Sequence, residues 1–188
     1  GEEFAISLAG VYQKENAVLA LNALEELDRL GWTTTMEQRK DGLLNTSWKG
    51  RFTVINKKPL FIVDGAHNAG AADKMAESVR HYFNGKKLIY IMGVFADKEY
   101  KIVLEKTAHF AEKIYTIETP DNPRALPAEE LAKAARVYNS SAESTKSIKD
   151  AVEKAFSCAG DDENSVILAF GSLSFIGALT NAVEEYVG

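Results

Sequence analysis

Apolar residues in this chain follow two alternating patterns, which predict buried strands separated by amphipathic helices. Between the strand-like runs, apolar residues recur at spacings of three and four, as on the buried face of a helix. Strands that are apolar almost throughout, alternating with such helices, predict an α/β fold with a mostly parallel sheet and helices on both faces. The runs that predict strands are RFTVI, LFIVD, KLIYIMGV, KIYTIET and SVILAFG.

The local signals around these runs agree with that fold. The NKKP between the first two runs predicts a hairpin, and the residues Ala72, Met75, Ala76, Val79 and Phe83 form one helical stripe. Further helices are predicted over residues 98–112, after Pro127, and over 174–187. Ser147-x-x-Asp150 resembles a capping box at the start of another helix, whose stripe runs over 148–159.

The first quarter of the chain has a different character. Residues 16–30 predict a helix that is apolar almost all round in its first half, which requires cover on several sides. Residues 31–47 are polar and predict a short helix and a linker. We therefore expect a boundary that divides the chain into residues 1–47 and 48–188.

Composition excludes several classes of function. The chain has 188 residues, 46% of them hydrophobic, a net charge of -5 and no block of like charges, so no basic surface is expected for nucleic acid or an anionic membrane. No apolar run approaches the roughly 20 residues of a membrane span, and the acidic N-terminus is unlike a signal peptide. The single cysteine, Cys158, is expected to be a packed helical residue in a reducing cytoplasm. Because the first residue is Gly1, we expect the chain to come from something longer.

The most informative stretch is DGAHNAG, residues 64–70, which directly follows the strand-like LFIV. Ligands of open α/β sheets bind beyond the carboxyl ends of the strands. There Asp64 is placed to accept hydrogen bonds from a sugar diol, and the following helix N-terminus favours an anion near His67 and Asn68. The alternative is that Asp64 and Asn68 only form and cap the turn. His81 and His109 lie in amphipathic helices and are expected at the surface.

Other nucleotide-site and catalytic motifs are absent from the sequence. It contains no G-x-x-x-x-G-K-[ST] loop and no G-x-G-x-x-G after a strand, so a P-loop or a dinucleotide-binding turn is not predicted. GSLSFIG lacks the G-x-S-x-G spacing of a nucleophile elbow. No cluster of histidines and carboxylates has the spacing of a metal site.

Five stretches in this order resemble the C-terminal part of the folylpolyglutamate synthase/dihydrofolate synthase family of the Mur ligase superfamily. DGAHN preceded by W-x-G-R is the most specific feature of that resemblance. Lys49 replaces the proline of the family's W-P-G-R, and Ser174 stands where the family often has an aromatic residue. The stretches are GVYQKENAVLAL, WKGR, DGAHN, GVFADKE and GSLSFIG.

The resemblance implies an ATP-dependent ligase that joins L-glutamate to a folate through an acyl phosphate. It implies that Asn16 hydrogen-bonds adenine, that Arg51 and Asp64 bind ATP, and that His67 lies near the reacting groups. Ser172 and Arg124 are candidates for positioning glutamate. The P-loop and the Mg²⁺ ligands would lie in a missing upstream ATPase domain, of which residues 1–47 would be the tail.

Three other functions remain open from the sequence. A ligase of peptidoglycan precursors belongs to the same superfamily, although W-x-G-R with DGAHN favours folate. A free-standing nucleotide-binding module is the alternative from another class, and an α/β hydrolase is the weakest because the elbow is missing. For the folate ligase we expect a monomeric enzyme, of which this chain alone would be inactive.

Overall fold

A six-stranded sheet is the framework of the computed structural model, which describes residues 2–188. The strands lie in the order β1-β2-β6-β3-β4-β5. β1 pairs antiparallel with β2, and every other neighbouring pair is parallel. The strands are β1 (Thr53–Lys57), β2 (Leu60–Val63), β3 (Lys87–Met92), β4 (Lys113–Thr116), β5 (Ala142–Ser144) and β6 (Ser165–Phe170).

Helices cover both faces of this sheet, so the predicted α/β fold is confirmed. Side chains of β3 alternate between the two cores: Tyr90 packs with α3, α4 and α5, whereas Ile89 and Ile91 pack with α6 and α7. This alternation explains why the central strands are apolar throughout. The helices are α1 (Gln13–Arg29), α2 (Met36–Asn45), α3 (Ala69–Tyr82), α4 (Tyr100–Thr107), α5 (Ala128–Ala135), α6 (Ile148–Ala159) and α7 (Ile176–Val187).

Side-chain caps fix the starts of α2, α3 and α6. Asn68 Oδ1 accepts a hydrogen bond from Ala71 N at 2.9 Å at the start of α3. At α6, Ser147 Oγ accepts from Asp150 N as predicted, but Asp150 Oδ2 accepts from Lys146 N and not from Ser147 N. The capping box predicted at Ser147 is therefore only half formed.

Two further elements differ from the sequence prediction. The helix predicted over residues 98–112 ends at Thr107 and continues as a 3-10 turn over Ala108–Phe110. β5 was not predicted, because its three residues carry no apolar run. It is held as the edge strand beside β4, and Glu143 accepts hydrogen bonds there from Lys113 at 2.8 Å and Lys154 at 2.6 Å.

The segment before the sheet, residues 2–47, has little core of its own. Gln13 is the only residue of α1 that is buried, whereas Val18, Leu19 and Leu30 are 57%, 68% and 75% exposed. An Arg39–Asp28 ion pair joins α2 to α1. Within residues 2–188, no helix combines the length and the apolar character that crossing a membrane requires.

Candidate functional site

The carboxyl ends of β2, β6 and β3 meet at one edge of the sheet and form a crevice. β6 lies between β2 and β3. The chain leaves β2 and β3 towards the face covered by α3 and α4, but it leaves β6 towards the opposite face, where α7 lies. Such a divergence opens a space between the loops, which is where open α/β sheets bind ligands.

Asp64 organises the loop that follows β2. Its backbone N–H donates to Ala169 O at 2.9 Å, so pairing with β6 continues to the last residue before the turn. Its carboxylate accepts three hydrogen bonds, from Phe52 N at 2.9 Å, Ala66 N at 2.8 Å and the Tyr12 hydroxyl at 3.2 Å. The carboxylate therefore joins three segments that are distant in sequence.

Burial sets the electrostatics of this group. Asp64 is only 3% exposed, and this desolvation raises the pKa of its carboxyl, although its hydrogen bonds and the Arg51 charge act in the opposite direction. Burial and the neighbouring carboxylate also raise the pKa of the Tyr12 hydroxyl. The phenol is thus protonated at neutral pH and serves as the donor.

The WKGR turn places Arg51 beside this carboxylate. Gly50 has φ +81°, and Phe52 has φ +48°, which is an uncommon conformation for a residue with a side chain. Gly50 N donates to Thr53 Oγ1 at 3.1 Å, and Arg51 N donates to Trp48 O at 3.3 Å. These bonds hold the turn although Lys49 stands at the position of the family's proline.

A cavity of about 460 Å³ lies beside Asp64, and we call it the Arg51 cavity. It brings together Asn16, Arg51 and Asp64, which the sequence analysis had singled out. Asn16 Nδ2 donates to Gln13 Oε1 at 2.9 Å. No salt bridge joins Arg51 to any residue of the described chain, 2–188. The lining consists of Leu8, Tyr12, Gln13, Asn16, Trp48, Arg51, Asp64, Gly70, Ala71 and Lys74.

A smaller cavity of about 220 Å³, here called the Ser172 cavity, lies on the other side of the turn. It contains His67, whose Nδ1 is 2.7 Å from Gly65 O. A carbonyl can only accept, so Nδ1 carries a proton, and in the neutral ring Nε2 is left as an acceptor. Ser172 Oγ is 2.7 Å from Ser174 Oγ. The lining consists of His67, Phe95, Lys98, Gly171, Ser172, Leu173 and Ser174.

Arg124 lines neither of these two cavities. Its guanidinium forms an ion pair with Asp97 at 2.5 Å and lies 4.8 Å from the centre of the Phe95 ring. The hydrogen bond from Arg124 lowers the pKa of the Asp97 carboxyl. Arg124 therefore supports a wall of the Ser172 cavity through Phe95.

Several side chains that line the cavities were not predicted as site residues from the sequence. Tyr12, Trp48 and Lys74 face the Arg51 cavity, and Lys98 faces the Ser172 cavity. Tyr12, Trp48 and Lys98 stand inside the stretches GVYQKEN, WKGR and GVFADKE, so the motifs themselves held the signal. Lys74 is paired with Glu15 at 2.9 Å, and only the fold brings it to this site.

Residues 2–188 contain no group of three or more His, Cys, Asp and Glu side chains arranged to hold a metal ion. His81 and His109 are exposed, as expected from the sequence. Cys158 is partly buried on α6, where it packs against the core shared by α6 and α7.

Residues 50–173 match the family described as Mur ligase, glutamate ligase domain. The match includes Gly50 and Arg51 of the WKGR turn, the whole of DGAHN and the first residues after β6. The chain belongs to this family. Together with the relatives described next, this match confirms the resemblance to folylpolyglutamate synthases that the motifs indicated.

Individual relatives of this Mur ligase domain agree with the family match. It is 28% identical over 184 residues to the dihydrofolate synthase/folylpolyglutamate synthase of Bacillus subtilis, covering 97% of this chain and 42% of the relative. The Thermotoga maritima folylpolyglutamate synthase structure is 26% identical with a TM-score of 0.76, covering 98% of this chain and 41% of that one. The Mycobacterium tuberculosis folylpolyglutamate synthase complexed with ADP has the same fold, with a TM-score of 0.84, 24% identity, and coverage of 97% and 42%. The chain thus spans about two fifths of the length of these relatives.

Proposed function

We propose that this chain is the C-terminal part of an ATP-dependent amide ligase that adds L-glutamate to a folate. The observation that carries the proposal is the convergence of Asn16, Arg51 and Asp64 on one cavity. These residues come from α1, the WKGR turn and the loop after β2. The names of the relatives, and the ADP in the Mycobacterium tuberculosis structure, support the same function.

The Arg51 cavity is suited to a nucleotide. Its volume of about 460 Å³ lies within the roughly 300–1,000 Å³ of small-molecule sites. The guanidinium of Arg51, which no salt bridge pairs within residues 2–188, suits phosphate oxygens. Gly70 and Ala71 bring the N-terminus of α3 to the wall, where the helix dipole favours an anion although Ala71 N itself donates to Asn68 Oδ1. Asn16 would then contact the adenine. Asp64 keeps one acceptor position of its carboxylate for the nucleotide.

The Ser172 cavity is suited to the incoming glutamate. Lys98 offers a cation that no salt bridge pairs within residues 2–188, and Ser172 offers a hydroxyl, so the two suit a carboxylate. In the neutral ring of His67, Nε2 is an acceptor that suits an amine. Arg124 would act indirectly, because it contacts Phe95 and does not line the cavity.

The proposed reaction uses a phosphate as the leaving group. ATP transfers its terminal phosphate to the folate carboxylate, which forms an acyl phosphate and ADP. The neutral glutamate amine attacks the acyl carbon and loses one proton to solvent, an amide forms, and phosphate leaves with the electron pair of the broken C–O bond. The protein contributes mainly by positioning the reactants and stabilising charge.

The missing part of the enzyme would hold the P-loop, the Mg²⁺ ligands and most of the folate site. Residues 1–47 would be the tail of that upstream ATPase domain. The surface of that domain would cover the exposed Val18 and Leu19 of α1 and Leu30 directly after it. This need for cover favours a ligase fragment over a free-standing nucleotide-binding module. We expect the chain alone to bind nucleotide weakly and to form no amide.

Trp48 provides a direct test, because it lines the Arg51 cavity and is 61% exposed. In a Trp32→Phe background it is the only tryptophan. Titration with ADP is expected to change its fluorescence, and Arg51→Ala is expected to raise the Kd about tenfold or more. Arg29→Ala, on the exposed side of α1, is the matched control. Equal Kd values for Arg51→Ala and wild type would contradict the nucleotide site.

The ligase activity requires the reading frame upstream of this chain. The extended protein is expected to release ADP only when ATP, a folate and L-glutamate are all present, and Arg51→Ala is expected to reduce that rate. Amide formation by the 188-residue chain alone would contradict the proposal that it is an inactive part.

A further inference from the structure

We propose that Tyr12 is a positioning residue, whose hydroxyl holds Asp64 so that the WKGR turn presents Arg51 to the Arg51 cavity. This inference rests on the proposed nucleotide function of that cavity. Tyr12 precedes α1, whereas Asp64 and Arg51 belong to the domain built on the sheet. Tyr12 would therefore link the docking of α1 to the shape of the site.

The first step is the contact between Tyr12 and Asp64. The Tyr12 hydroxyl donates to Asp64 Oδ2 at 3.2 Å, and it is the only side chain among residues 2–188 that hydrogen-bonds this carboxylate. The same oxygen accepts from Phe52 N at 2.9 Å. Burying a carboxylate costs free energy unless hydrogen-bond donors reach its oxygens. The Tyr12 hydroxyl therefore stabilises the ionised Asp64 carboxylate that accepts from Phe52 N.

The second step runs from Asp64 to Arg51. Phe52 is held at φ +48°, a conformation that a side-chain-bearing residue rarely adopts unless its surroundings impose it. Its N–H points to Asp64, and Arg51 is the preceding residue. The guanidinium Nη1 lies only 3.3 Å from where a Cβ on Gly65 would stand. Arg51 is therefore packed directly against the Asp64 turn, and a shift of either turn moves it.

The third step connects Tyr12 to α3. Val11 N donates to Ser78 Oγ at 3.2 Å, so backbone next to Tyr12 is attached to α3. Gly10 has φ +102°, and a Cβ there would stand 2.9 Å from Tyr12 Cε1. The glycine thus provides the room in which the phenol ring lies. These contacts place the hydroxyl on Asp64 whenever the start of α1 is docked.

Tyr12→Phe removes the hydroxyl and keeps the ring. Tyr138→Phe, in the turn after α5 and 41% exposed, is the matched control. Hydrogen exchange measured by NMR reports the Phe52 amide without any ligand. Loss of one supporting hydrogen bond is expected to speed that exchange about fivefold. Gly10→Ala, which displaces the ring, should act in the same direction. Unchanged exchange at Phe52 in Tyr12→Phe would overturn the proposal.

A double-mutant cycle tests the link to Arg51, with ADP as the probe and Trp48 fluorescence as the readout. Tyr12→Phe is expected to raise the Kd about three- to tenfold in the wild-type background and less than about twofold beside Arg51→Ala. Effects that simply add would overturn the proposal. If wild type binds no ADP, the nucleotide function fails, and the Phe52 exchange still decides whether Tyr12 holds the turn.

Discussion

Replacing Asp64 by alanine tests whether the carboxylate is a structural as well as a ligand-binding group. The sequence alone predicts a contact with a sugar diol, but the structure adds three donors inside the protein. Asp64→Ala leaves Phe52 N, Ala66 N and the Tyr12 hydroxyl without an acceptor. Phe52 and Ala66 are 4% and 1% exposed, so water does not easily replace the lost partner.

The expected cost follows from these contacts. A buried donor left unsatisfied costs about 1–3 kcal/mol, and two backbone donors are affected. The Tyr12 hydroxyl adds little, because it can turn towards the Arg51 cavity. Part of the cost is offset because burial disfavours the charged form of the carboxyl, which raises the pKa of Asp64. We therefore expect a net loss of about 2–4 kcal/mol in the free energy of unfolding.

Thermal unfolding followed by circular dichroism at pH 7 measures this loss. For a chain of this length, about 2–4 kcal/mol corresponds to a drop of roughly 4–16 °C in Tm. Asp161→Ala is the control, because Asp161 is exposed in the loop after α6. A Tm within about 2 °C of wild type for Asp64→Ala would refute the structural role. Weakened ADP binding without such a drop would leave the carboxylate as a nucleotide ligand only.

Two further predictions concern the sheet. Gly171→Ala should strongly reduce Tm, because Gly171 has φ +116° and an added Cβ would stand 2.5 Å from Gly93 O. The control Gly177→Ala should not reduce Tm, because an added Cβ there meets no atom of the described residues within 4 Å. Lys113 and Lys154 lower the pKa of Glu143 from 4.5 to about 2. The ionised carboxylate therefore contributes its full stabilisation above about pH 4.5, and this contribution is lost as the pH falls through about 2. Urea unfolding of wild type and Glu143→Gln should give free energies that converge near pH 2 and separate by pH 5; a constant difference would contradict this.

Much of the fold follows from local patterns, whereas the contacts of the site do not. The apolar runs predict β2, β3 and β6 because each is buried on both faces. β5 escapes prediction because Ala142–Ser144 owes its strand conformation to pairing with β4 and not to its own residues. The bonds from Asp64 to Tyr12 and Phe52 span 52 and 12 residues. Periodic patterns span only a few neighbouring residues and do not predict such long-range contacts, although the motifs already mark the loops that meet.

The composition of DGAHN follows from the two cavities that flank it. Asp64 lines the Arg51 cavity and His67 lines the Ser172 cavity, so the turn is a shared wall between them. The backbone at Gly65 lies so close to its neighbours that an added Cβ would stand 2.6 Å from Leu173 Cδ2 and 3.3 Å from Arg51 Nη1. Any side chain at this position would push apart the loop after β6 and the arginine. Because residue 65 has no side chain, only the backbone of this turn separates the two cavities. The groups proposed to hold nucleotide and glutamate therefore lie on opposite sides of a single turn.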